Sequence, residues 1–87
     1  MKMEAALRSN PQHESPMLRE QHQVTSKARL RLEQTGHHPL RRIACDFHEG
    51  VLTLRGRVTS FYLKQLAQAS LLSLDHVEVL VNHIEVA

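Results

Sequence analysis

The stretch HEGVLTLRGRVTS, residues 48–60, narrows the folds open to this chain more than any other. On both sides of Glu49-Gly50 the side chains alternate with the period of a half-buried strand. In RRIACDF, Ile43, Cys45 and Phe47 fall on one side and Arg42, Ala44 and Asp46 on the other; in VLTLRGRV, Leu52, Leu54, Gly56 and Val58 oppose Val51, Thr53, Arg55 and Arg57. Glu49-Gly50 resembles the Asp-Gly type of two-residue hairpin connection, with Gly50 supplying the positive φ, although Glu is a poorer first turn residue than Asp or Asn. A loop of those two residues pairs His48 with Val51, Phe47 with Leu52, Cys45 with Leu54 and Ile43 with Gly56, so that apolar meets apolar. A slip of one residue would turn one strand's apolar set outward, and the pattern therefore fixes the register. Gly56 removes side-chain bulk opposite Ile43 and is expected to leave room for a helix against the sheet.

The flanking segments change period. Residues 1–14 mix charges, polar residues and Pro11 without a durable repeat and read as a disordered leader. Ser15-Pro16 offers a cap and a first-turn proline for a helix whose stripe is Leu18, Thr25, Ala28 and Leu32, with Val24 beside it and Gly36 available as a left-handed stop. After the hairpin, Thr59 or Ser60 can cap a second helix carrying Leu63, Leu66, Ala67, Ser70, Leu71 and Leu74. DHVEVLVNHIEV then returns to strand chemistry with Val77, Val79, Val81, Ile84 and Val86. Both of its faces are apolar: Leu80, Ile84 and Val86 share one with Asn82, Val79 and Val81 the other, and alternation alone leaves open which side meets the helices.

Eighty-seven residues hold one small core, so residues 15–87 are expected to form a single domain of modest stability, or one helped by a partner. The formal charge is only +2, too weak a general field to imply nucleic acid. The lone Cys45 forms no internal disulfide, and no activating motif surrounds it, so it reads as a small core residue. The N-terminal segment has no apolar stretch of the kind a secretory signal needs, and no later run reaches the length of a membrane span. A cytoplasmic protein, at most peripheral to a membrane, is the resulting expectation.

The order helix, strand, strand, helix, strand, together with EGVLTLRGRV (Gly50, Val51, Leu54, Gly56, Val58), an Ala/Leu-rich helix and HVEVLVNHIEV, resembles a BON domain, the family named for bacterial osmotic-shock and nodulation proteins. The resemblance covers about residues 24–87. It departs at His76-Val77, where a Gly-Val pair would commonly precede the last strand, and at Glu49, where Asp is more usual. What the resemblance implies is an α+β fold, a two-layer αββαβ sandwich with two helices on one face of a three-stranded mixed sheet. It also implies a role in binding or attachment, often at phospholipid membranes or the bacterial envelope, with no catalytic centre.

Two partner classes follow from the surface that this fold leaves open. Arg42 and Arg57 are expected as cross-strand neighbours, with Arg55 beside them and Arg41 extending the patch, a cluster able to hold the phosphate oxygens of an anionic phospholipid through guanidinium forks. Val51, Val79 and Val81 instead offer an apolar face for a protein partner or a homodimer. Nucleic acid is disfavoured because the outer face has no aromatic pair for base stacking. The seven histidines, His13, His22, His37, His38, His48, His76 and His83, form no recognised ligand spacing, so neither a metal nor another cofactor is expected. Ser60, Asp75 and His76 are residue types used in hydrolysis, but nothing in their spacing positions them as a triad, and an enzyme is not expected.

Overall fold

A computed structural model of the chain describes residues 16–87, and the expected leader and the Ser15 cap lie outside the described residues. The elements run α1 (Pro16–Gln34), a 3-10 turn (His38–Arg42), β1 (Ala44–His48), β2 (Val51–Val58), α2 (Phe61–Leu71) and β3 (Val79–Val86). The sheet order is β1-β2-β3, with β1 antiparallel and β3 parallel to β2. Both helices contribute to one core with Phe47, Leu52, Leu54, Val58 and Ile84 of the sheet, which gives the two-layer α+β arrangement expected from the sequence. No helix among the described residues is long and apolar enough to cross a membrane.

The hairpin takes the expected register, from His48 opposite Val51 to Cys45 opposite Leu54. Glu49 and Gly50 both adopt positive φ, +48° and +83°, the combination that lets a two-residue turn follow the right-handed twist of its strands. A glycine tolerates that geometry freely; Glu49 holds it against the steric preference of an L-residue.

The first helix differs from its expected stripe. Val24, Ala28 and Leu32 are buried at four-residue intervals, whereas Leu18 is 45% exposed and Thr25 only half-buried. Among the described residues, the helix meets the core only from Val24 onward. Gly36, at φ +79°, ends the segment as expected, and Gly36 N–H donates to the Glu33 carbonyl.

The strand preceding the hairpin begins later than the alternation implies. Pro39 lies in the first positions of a 3-10 turn closed by Leu40 N–H to His37 O and Ile43 N–H to Leu40 O, which sends Leu40 into the core as a fully buried side chain. Ile43 is thus the residue that leaves this turn, not a paired strand residue, yet it still lies against Gly56. A Cβ at Gly56 would stand 2.8 Å from Ile43 Cδ1, and Gly56 has φ +152°. The space left by Gly56 is therefore filled by Ile43 rather than by a helix.

Ser60 caps α2, accepting the Leu63 N–H at 3.2 Å. Leu63, Ala67 and Leu71 are buried, and Leu74 continues the stripe past the helix end. Arg31 of α1 donates to the Ser70 carbonyl and the Ser73 hydroxyl, fastening α1 to the last turn of α2. The chain then turns at His76, whose φ of +75° is the left-handed conformation that a glycine would adopt without strain. Its Nδ1 lies 3.3 Å from Glu20 Oε2 on α1.

Candidate functional site

Among the described residues, the sheet face away from the helices has no layer over it. The parallel register sets Val51 beside Val79 and Thr53 beside Val81 at one end, then Arg55 beside His83 and Arg57 beside Glu85 at the other. β3, ambiguous in sequence, is resolved by Ile84, which is 1% exposed on the helix side, whereas Val79 is 51% exposed. Val51 and Val81 are half-buried. The expected interaction residues Val51, Val79 and Val81 are thus gathered at one end of one face.

The three expected arginines are only partly brought together. The β1–β2 ladder stops at Ala44 opposite Arg55, and Arg42 ends the 3-10 turn, so Arg42 and Arg57 are not ladder partners. The ladder neighbour of Arg57 is Glu85, and its Nη2 donates to Glu85 Oε1 at 3.2 Å. A like-charged pair was expected, and Arg57 instead has an opposite charge beside it. This pair is well exposed and therefore of small energetic weight, but it halves the unpaired charge of that end. Arg42 and Arg57 nevertheless border one depression of about 290 Å³, lined also by His38, Pro39, Val58 and Thr59.

Gly50 has a second role that the hairpin pattern did not reveal. Its carbonyl accepts the N–H groups of Glu78 and Val79 at 2.8 and 3.1 Å, which starts the pairing of β3. A Cβ there would lie 3.1 Å from the Glu78 side chain.

Asn82 was overlooked. It sits on the edge strand, where its Nδ2 donates to the Lys64 carbonyl and to Gln68 Oε1 of α2, while its Oδ1 accepts the Ile84 N–H. The Ile84 N–H belongs to the unpaired edge of β3, so one side chain closes part of that edge and ties it to α2. The signal was present in the sequence: an amide-bearing residue among Leu80, Ile84 and Val86 on an otherwise apolar side.

The other chemically capable residues are dispersed. Ser60 is engaged as a cap, and His76 lies beyond the far end of α2; eleven helical residues at about 1.5 Å each separate them by roughly 16 Å, too far for a triad with Asp75. His37 meets Tyr62 edge to face with centroids 5.8 Å apart, and His48 Nδ1 is 2.9 Å from the Gln21 amide. Among the described residues no group of three or more His, Cys, Asp or Glu is placed to hold a metal. Cys45 is half-buried, and burial raises its thiol pKa against the opposing effect of Arg29. Compared with known protein families and with curated proteins, the chain matches none.

Proposed function

We propose that this protein is a non-catalytic, BON-like attachment module that works by protein contact, with a second copy of itself as the partner. The observation that carries this reading is the sheet face on which no helix lies among the described residues, where Val51, Val79 and Val81 stand together while Arg55, Arg57, His83 and Glu85 supply charges of both signs. A two-fold axis through such a face can set valines on valines and basic residues against Glu85 of the other copy. Strands about 4.8 Å apart and about 3.3 Å rise per residue, with eight residues in β2 and β3 but five in β1, give a face of at most roughly 14 by 26 Å. Two such faces bury at most about 700 Å² in all, below the range of about 1,200–2,000 Å² of stable specific interfaces, which implies a weak and reversible dimer.

Sedimentation equilibrium over a wide concentration range tests this. Association should be present in the wild type and absent from a Val79→Asp/Val81→Asp variant. A wild type that stays monomeric throughout rejects the homodimer.

A second reading is attachment to anionic phospholipid through Arg42, Arg55 and Arg57, in keeping with the envelope association that the resemblance implies. Its support is that Arg42 and Arg57 border one depression. Flotation with vesicles containing anionic lipid should recover the wild type better than the Arg42/Arg55/Arg57 triple alanine variant. Equal recovery removes this reading.

A further inference from the structure

We infer that the depression between the 3-10 turn and the end of β2 is a discrete binding site for a phosphate oxyanion, built from Arg42, Arg57, His38 and Thr59. The inference uses two arginines of the lipid reading but does not require a membrane. Four of the six residues lining the depression carry polar side chains able to donate a hydrogen bond, and none is acidic; Pro39 and Val58 complete its wall. The donors come from two separate elements, the 3-10 turn and the end of β2 with the residue after it, and border one depression.

The volume of about 290 Å³ accommodates a tetrahedral oxyanion together with several waters of about 30 Å³ each. Glu85 engages one nitrogen of Arg57. A guanidinium has five N–H donors, so Arg57 retains others for an anion. Arg42 can present a bidentate fork to the phosphate oxygens. The Thr59 hydroxyl adds a neutral donor that separates phosphate recognition from mere charge attraction.

The ligand class is therefore a phosphate or a terminal phosphate monoester, whether free in solution or carried on a lipid headgroup. The test is amide chemical-shift titration of the full chain with inorganic phosphate at constant ionic strength, with chloride as the comparison. Phosphate should produce saturable shifts confined to residues around 38–42 and 57–59. Arg42→Ala should weaken binding about tenfold and Thr59→Val by a smaller factor, as expected for loss of a charged and of a neutral hydrogen bond respectively. Arg41→Ala, outside the lining, should change it less than about twofold because screened surface charge acts weakly. Arg42→Lys keeps charge and fold while removing the fork, and should also weaken binding.

A parallel titration with phosphatidylcholine vesicles containing phosphatidate distinguishes the sources. Vesicle binding that free phosphate competes away assigns the site to a headgroup, and saturable binding of free phosphate with no binding to the vesicles assigns it to a soluble phosphate compound. Linear, unsaturable shifts, shifts reproduced by chloride, or phosphate affinity unchanged in both Arg42 variants would overturn the site. Vesicle binding insensitive to free phosphate and to Arg42 would overturn it while leaving general membrane attachment standing.

Discussion

Substituting Gly56 tests the packing that sets the end of the hairpin. An alanine there would place its Cβ 2.8 Å from Ile43 Cδ1, well inside the ordinary carbon contact distance of about 3.5–4.0 Å, and would hold an L-residue at φ +152°. Ile43 is 3% exposed, so its terminal methyl cannot swing aside without leaving its rotamer, at a cost of about 0.5–1.5 kcal/mol. The backbone strain adds about 1–3 kcal/mol. Gly56→Ala should therefore destabilise by about 2–4 kcal/mol, a large part of the few to ~13 kcal/mol expected of a chain this size.

Ile43→Val separates the two contributions, because it removes Cδ1 and leaves the backbone unchanged. Alone it should cost about 0.5–1.5 kcal/mol as a lost buried methyl. Combined with Gly56→Ala it should cost less than the sum of the single changes by about 1 kcal/mol, since the offending methyl is gone. Urea unfolding followed by circular dichroism measures all four corners of the cycle. A coupling below about 0.5 kcal/mol, the usual error of additivity, would refute the steric argument, and a single Gly56→Ala cost below about 1 kcal/mol would refute the strain argument as well.

His76→Gly should raise the urea midpoint, with a gain of up to about 1 kcal/mol from relieving the left-handed conformation, because the exposed contact to Glu20 that it loses is worth little. Asn82→Ala should destabilise by about 1–3 kcal/mol and make the protein associate with increasing concentration, as light scattering would detect, since it removes the acceptor of the Ile84 N–H at a strand edge. Burial raises the Cys45 thiol pKa in the folded state, so its contribution to stability is present below the unfolded thiol's pKa of about 8.5 and falls as pH rises beyond it. Urea midpoints of the wild type and Cys45→Ala between pH 7 and pH 10 should therefore converge in that direction, and Cys45 should react with a thiol reagent more slowly in buffer than in urea.

The register of the hairpin was legible because two independent constraints coincide there: a period-two pattern on each strand and a loop with room for only one register. The second helix was legible because its apolar residues recur at helical spacing behind a serine cap. β3 was legible as a strand, but its facing and its register were not, because its alternation is apolar on both sides and its neighbour is chosen by a long crossover rather than by a turn. The opposition of Arg57 and Glu85 depends on that parallel register and was therefore invisible. The 3-10 turn was hidden for another reason: Arg42, Ala44 and Asp46 alternate with Ile43, Cys45 and Phe47 whether or not the first residues are extended, and only the packing of Leu40 distinguishes the cases. At His76 the residue type departs from glycine, but the backbone conformation is one that glycine favours, so the turn is kept at the expense of strain.

These details decide which surface is free to meet a partner. Edge pairing through β3 would need its outward N–H groups, yet the Ile84 N–H is already accepted by Asn82, which α2 holds in place through the Lys64 carbonyl and Gln68. Pairing at that edge would have to break the Asn82–Ile84 hydrogen bond and displace an amide that α2 holds, whereas contact through the open face does neither. The same asymmetry makes the Asn82→Ala and Val79→Asp/Val81→Asp variants informative together. If association in the wild type uses the face, charge at positions 79 and 81 abolishes it, while loss of the Asn82 amide adds a second, edge-wise association that persists in the triple variant. Abolition of all association by the two aspartates even without Asn82 would mean that the edge is closed by something other than this amide.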